Sequence, residues 1–482
     1  MYNGKNVIGI VTEFNPFHEG HKYLIDSIRL RYGDCYVVAA MSGDFVQRGE
    51  PAIYDKYERT WAALQGGVDM VVQIPEMFST SSAEDFAAGG VATLRSLGLV
   101  DILLFGSESV DLDHLMRIAD LELDSGSKEN AKLNAAIRDN VEAGMSYAKA
   151  RAEAISLVLS GDDERAFENI LDSVSGGNPD EDLNNGKKSE NIGEPDLPAD
   201  VREGAGLLKK DDPSSDAMAS RLLPNDILGV EYIKAVKRQG ECFRIDCIRR
   251  NQKFESAHAI RDAIKNPRSE DEDVSINRSY ADVDMLSDML SYRMLQLYYL
   301  DRMSPEQPSS FMDYLDVSRE IADALKKQIH DRMTFSERIE AVKSKNYTYT
   351  RISRALLHIL LGIRKKDVRV LRGRFFGEAD MMPYVRILGI RKRARDMLGS
   401  VKTTVVTSAS KYEKQLFSVR RKETIETPEE LILSINASHA ETLFNQDMYS
   451  ADIYNKVYSP GERDDGLISY GNEFTQKFII AD

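Results

Sequence analysis

The sequence predicts a doubly wound α/β domain with a parallel sheet, followed by a mainly helical C-terminal region with a small amount of strand. Three observations carry that expectation. Apolar runs of strand length alternate with amphipathic runs of helix length through the first hundred residues. The strand-like runs are almost continuously apolar, as strands covered on both faces must be. Beyond about residue 265 the pattern becomes helical, and "TTVVTS" is the one clear later strand.

Taken in order, the strands are expected at Val7–Val11, Tyr36–Met41, Met70–Ile74 and Asp101–Phe105. Helices are expected between them, at about Gly20–Arg31, Asp55–Gln65 and Ala83–Leu97. "PNDILGVEYIKAVKR" is an amphipathic helix that Asn225 or Asp226 can cap, and "CFRIDCIRR" is a further strand. Ser256 is placed to cap the helix of "ESAHAIRDAI". These elements complete an N-terminal domain over residues 1–265, and residues 266–482 form the C-terminal region. The length suits more than one domain.

Charge is distributed unevenly. The formal net charge is −15, which by itself argues against a nucleic-acid partner. Residues 161–220, however, hold 16 acidic against 6 basic side chains. This stretch, rich in Gly, Pro and Asn and without periodicity, is expected to be a flexible acidic insert. Residues 351–422 hold 19 basic against 5 acidic side chains, a candidate surface for a polyanion. Its alternative is a solvated helical face. Within it, the stretch Arg364–Arg395 is expected to carry the polyanion, with Arg391, Lys392 and Arg393 touching it.

No apolar run approaches the length of a membrane span, and the N-terminus lacks the pattern of a secretory signal. The three cysteines, Cys35, Cys242 and Cys247, are too few for a disulfide framework. A cytoplasmic protein is the expectation. The seven histidines show no zinc spacing, and no metal ligand is expected.

The chemistry is expected where the first strand ends, at "TEFNPFHEGHKYL". In a parallel α/β sheet, ligands bind at the carboxyl ends of the strands. A helix starting there offers unpaired N–H groups and positive partial charge, suited to a phosphate. His18 and His21, three apart across Gly20, can converge on one side of that helix start. Two imidazole donors aimed at a nucleotide's α-phosphate would stabilise the charge that grows on its oxygens during displacement. Glycine between them allows close approach of the phosphate. The alternative is two packing or surface residues. "SAHAIR" supplies a second cradle, with Ser256 at a helix start and Arg261 one turn on, or else an ordinary capped helix. Arg48 in "QRGEP" lies at the same strand edge, to contact phosphate or RNA or simply to sit exposed. No Walker loop, dinucleotide glycine motif or nucleophile triad is present.

"GIVTEFNPFHEGHKYL", "MSGDFVQRGEPA", "GGVDMVVQIP", "LLFGSE", "GMSYAKARAEA", "PNDILGVEYI" and "SAHAIR" together resemble the bacterial tRNA(Met) cytidine acetate ligases, within the HIGH-motif nucleotidyltransferase superfamily. The likeness covers residues 6–154 and 224–264 most fully. It departs at Phe14, where tyrosine is common, at Glu19, where asparagine is common, and in the acidic insert. The resemblance implies that acetate attacks the α-phosphate of ATP, with Mg2+ as the ATP counterion. The resulting acetyl-adenylate then acetylates the wobble cytidine of elongator tRNA(Met). It places the ATP site on the run Val11, Thr12, Glu13, Phe14, Asn15, Pro16, Phe17, His18, Glu19, Gly20, His21, Lys22, Tyr23 and Leu24. It adds Gly106, Asn225, and an arginine of "CIRRN", Arg249 in preference to Arg250. A turn glycine, a helix cap and a surface charge are the structural alternatives for Gly106, Asn225 and Arg249. The competing functions are another adenylyltransferase of this type, an acetate ligase acting on a carrier thiol, and a non-catalytic nucleotide-sensing RNA-binding protein.

Overall fold

The computed structural model describes residues 1–145, 147, 149–159, 223–251, 253–266, 280–303, 310–344, 347–420, 428–458 and 472–482. The acidic insert at 161–220 lies outside them. The strands in chain order are β1 (Val7–Thr12), β2 (Tyr36–Ser42), β3 (Phe45–Val46), β4 (Glu50–Pro51) and β5 (Met70–Ile74). They continue with β6 (Ile102–Ser107), β7 (Arg244–Arg249), β8 (Tyr384–Arg391), β9 (Thr404–Val406) and β10 (Ile479–Ala481).

Eight of these strands form one sheet in the order β10-β8-β5-β2-β1-β6-β7, with β9 also pairing β8. β5, β2, β1 and β6 run parallel, as the alternation of strands and helices requires. Their residues, from Ile8 and Ile10 to Val37, Met41 and Val71, are sealed from water on both faces. Ile25 and Ile28 of helix Glu19–Tyr32 and Ala63 and Leu64 of helix Lys56–Gln65 close over the same core. Two helices start where the sequence supplies a cap: Asp55 accepts from the N–H groups of Tyr57 and Glu58, and Ser82 from Asp85.

The expected parallel sheet is present, and the small amount of strand expected in the C-terminal region joins its edge, so the sheet as a whole is mixed. β8 lies antiparallel to β5, and its far edge takes β9 and β10. "YVRILGIR" escaped notice as a strand because Arg386 interrupts its apolar run. That arginine is buried and hydrogen-bonds Glu473 and the Tyr57 hydroxyl. Lys56, also buried, lies 2.6 Å from Asp44 and 2.7 Å from Glu473. Four charges thus share one enclosed network, in which Arg386 and Lys56 hold the Glu473 carboxyl at about 2.

Contacts gather the chain into two compact units, Met1–Gly106 with Glu231–Asp482, and Ser107–Val230. Neither border coincides with the expected division at 265/266. In the first unit, the C-terminal region is mainly helical, as expected. Helix Tyr349–Leu361 buries Leu356, Leu357, Ile359 and Leu360, together with His358. In the second unit, helices Leu112–Leu123 and Lys128–Glu142 bury Leu115, Ile118 and Leu133, and Arg151 pairs with Glu122 at 2.6 Å. No helix among the described residues is long and apolar enough to cross a membrane.

Candidate active site

The loop after β1 turns at Phe14, whose φ is +45°, and at a cis Asn15–Pro16 peptide, before helix Glu19–Tyr32 begins. Four residues fix it by hydrogen bonds: Ile53, Arg261, Arg59 and Gln47. The Asn15 side-chain carbonyl accepts the Ile53 N–H at 2.8 Å, and Arg261 donates to the Asn15 backbone carbonyl at 2.7 Å. Buried Arg59 donates to the carbonyls of Glu13, Ser42, Gly43 and Tyr54, joining the ends of β1 and β2. Glu13 accepts the Gln47 N–H at 2.7 Å, and burial pushes its carboxyl up against the pull of Gln47, Arg261, Arg59 and Arg48.

His18 is the helix cap, and the two histidines cap the helix reciprocally. His18 Nδ1 accepts the Gly20 N–H at 3.0 Å, and His21 Nδ1 accepts the His18 N–H at 3.3 Å. A capping box ordinarily uses a hydroxyl and a carboxylate in these places. The rings lie 3.9 Å apart and 33° from parallel. His21 also meets the Phe14 ring edge-on at 4.9 Å and lies 5.7 Å from Phe17. Gly20 is required by this arrangement, since a Cβ there would fall 2.8 Å from His18 Cε1.

Burial, then the charges of Arg250 and Arg261, lowers the His18 pKa from the usual 6.5. Burial, then His18 and Arg250, takes His21 well below it. Both rings are therefore neutral at pH 7. With each Nδ1 engaged as an acceptor, each ring must carry its proton on Nε2. The helix start thus presents two adjacent imidazole N–H donors beside a cluster of arginines. This is an anion site with directional donors.

The HIGH Nucleotidyl Transferase family matches residues 5–464. The tRNA(Met) cytidine acetate ligase of Clostridium perfringens (strain SM101 / Type A) is 30% identical, with 82% of this chain and 87% of that protein covered. The chain belongs to the tRNA(Met) cytidine acetate ligase family. The ligase of Thermoanaerobacter sp. (strain X514) is 27% identical over 94% of this chain and 95% of its own length. The crystal structure of Thermotoga maritima TmcAL bound with alpha-thio ATP superposes with a TM-score of 0.69, at 25% identity and 99% coverage of both chains.

In this ligase-family chain, the remaining expected site residues fall in different places. Ser256 caps helix Ala257–Lys265 by accepting the Ala259 N–H, and Arg261 on that helix reaches the loop of β1. Phe254, just before it, packs 5.7 Å from Tyr23. Of the two candidate arginines, it is Arg250 whose charge bears on both imidazoles. Gly106 has open space where a side chain would stand. Asn225 belongs to the second unit, where its amide donates to Glu108 at 2.6 Å and the Glu108 carboxylate receives the N–H groups of Asn225 and Asp226.

Arg391, Lys392 and Arg393 lie at the amino-terminal ends of the parallel strands, the edge opposite the histidines. Arg391 donates to the Asp482 carbonyl, and Lys392 pairs with the Asp482 side chain. Arg393 bonds the Cys35 carbonyl at 2.7 Å, lies 3.2 Å from Asp34 and Asp69, and stacks over Tyr36. Sequence reasoning missed Arg59, which "KYERTWAAL" disguises as an exposed helical charge, and the capping role of the histidines. The spacing of a cap residue and its third successor was visible, but histidine is not the residue type that signals it.

Proposed function

We propose that this chain activates acetate with ATP and transfers the acetyl group to the wobble cytidine of elongator tRNA(Met). An acetate oxygen attacks the α-phosphorus, the bond to pyrophosphate breaks, and acetyl-adenylate forms. The exocyclic amine of cytidine then attacks the acetyl carbon and AMP leaves. The amine proton passes to solvent, giving N(4)-acetylcytidine. The observation that carries the proposal is the pair of neutral imidazoles holding Nε2–H donors side by side at a helix start. In the first step, negative charge grows on the α-phosphate oxygens and the leaving pyrophosphate, where such donors bind more strongly than in the ground state.

The loop Val11–Leu24 holds the triphosphate in this account, with Arg250 and Arg261 neutralising it. Arg249 and Gly106 complete the nucleotide's surroundings. Magnesium enters as the counterion of the ATP phosphates, held largely by phosphate and water. The basic stretch 351–422 supplies the RNA surface, and on its exposed part phosphate would exchange with carboxylate partners such as that of Lys392.

Incubation with ATP, labelled acetate and unfractionated tRNA tests the proposal. Label recovered as N(4)-acetylcytidine in tRNA(Met) supports it. Label on a carrier thiol, or pyrophosphate release without acetate, favours the competing activities.

A further inference from the structure

Helix Lys365–Phe375, the segment Asp380–Pro383 leading into β8, helix Ala409–Arg420 and helix Pro428–Val457 enclose a cavity of about 450 Å3. That is the size of a small-ligand site, which spans ~300–1,000 Å3. Phe375, Met382, Tyr412, Leu416 and Ala440 supply apolar walls, and Arg374, Asp380, Gln415 and Asn436 supply polar ones.

Tyr412 limits what the cavity can take. Only 6% of it is exposed, and its ring is wedged 5.0 Å from Tyr384 and 5.4 Å from Phe444. Its hydroxyl has no hydrogen-bond partner among the described residues. Tyr412 lines the cavity, so this hydroxyl is open to a polar guest. Across the cavity, Arg374 lies 3.1 Å from Asp380 and donates to Asn436 Oδ1 at 3.2 Å. Among the described residues the NH2 of Asn436 has no hydrogen-bond acceptor. Apolar walls with separated polar groups suit a heterocycle with a hydrogen-bonding edge. Ten of the thirteen lining residues belong to the stretch 351–422 proposed above to carry RNA, which makes an RNA base the guest to test. Sequence-specific RNA recognition works in this way, with splayed bases held by aromatic faces and read along their edges.

We propose that this cavity binds one unstacked base of the RNA substrate, distinct from the cytidine that is acetylated. The proposal rests on the RNA-directed function above. Ala437→Trp fills the cavity from its wall, and Tyr412→Phe removes only the unpartnered hydroxyl. The probes are a tRNA(Met) transcript for acetyl transfer and its anticodon stem-loop for binding by fluorescence anisotropy. Ala437→Trp should raise the KM for the transcript about tenfold, as loss of one base–aromatic contact does. Tyr412→Phe should raise it about threefold. Acetate-dependent ATP–pyrophosphate exchange without RNA should stay within about twofold of wild type for both, since the cavity is not asked to touch ATP or acetate.

Unchanged KM in both folded variants overturns the proposal, and so does a parallel loss of exchange, which would make the cavity a small-molecule site or a structural element. If Ala437→Trp fails to fold, Tyr412→Phe decides alone. If wild type transfers no acetyl group to RNA, the functional proposal fails, and stem-loop affinity still decides the cavity: equal binding by wild type and variants overturns it.

Discussion

Two edges of one sheet carry the features that stand out in this sequence, and they use them oppositely. At the carboxyl edge, His18 and His21 are half-buried and uncharged, and among the described residues their rings hydrogen-bond through Nδ1 alone, leaving a donor on each ring uncommitted to the cap. At the amino edge, Arg391 and Arg393 spend their donors on Asp482, Asp34, Asp69 and Cys35. Uncommitted donors at a helix start are available to a ligand. Charges already matched by carboxylates hold the fold together. A count of positive residues does not distinguish the two, because it ignores what each charge faces.

The comparison is sharpest inside the basic stretch, at Arg386. Glu473→Gln should leave Arg386 and Lys56 buried without full compensation, and unfolding by urea should show a loss of about 3–5 kcal/mol. An unchanged midpoint would mean that water already serves these charges. His18→Ala should instead spare much of the stability and slow acetyl-adenylate formation, by about 2.7–4 kcal/mol of barrier. Single-turnover measurement of pyrophosphate release checks this. A rate loss matched by loss of the fold would reduce His18 to a cap.

The pH dependence follows from the same pair. Both imidazoles have folded pKa values below the usual 6.5, so the unfolded chain binds more protons as pH falls through that value. The stability they contribute is present above about pH 6.5 and lost progressively below it. Activity should fall in the same window, since a protonated Nδ1 can no longer accept the cap hydrogen bond. Thermal melts from pH 8 to pH 5 should show the decline in wild type and a weaker one in His18→Ala/His21→Ala. A flat wild-type profile would contradict the burial argument.

The smallest effect belongs to Lys392, whose pair with Asp482 is exposed on both sides. Such a pair contributes about 0–1 kcal/mol, so Lys392→Glu should barely alter stability. If RNA displaces Asp482 there, the slope of log affinity against log salt should fall by about 0.7–0.9. An unchanged slope would leave Lys392 outside the RNA surface.

Much of the fold was legible because parallel strands buried on both faces leave unbroken apolar runs. β1, β2, β5 and β6 all fall where those runs do, to within two residues at each end. β8 was hidden because its burial depends on Glu473, nearly ninety residues away, neutralising Arg386. Local periodicity carries no record of such a partner. The histidine pair was legible from its setting, a strand end followed by a proline turn and a helix. Its tautomers were not, because they depend on which ring nitrogen meets which backbone N–H.

The central claim is that two neutral Nε2–H imidazoles face the reacting phosphate, and 15N NMR of histidine-labelled protein tests it most directly. His18→Ala and His21→Ala spectra would assign the signals. At pH 7 the account predicts, for both residues, an unprotonated Nδ1 and a protonated Nε2, with a shift of the Nε2 resonances when ATP is added. An imidazolium at pH 7, or a proton on Nδ1 of either ring, would contradict it.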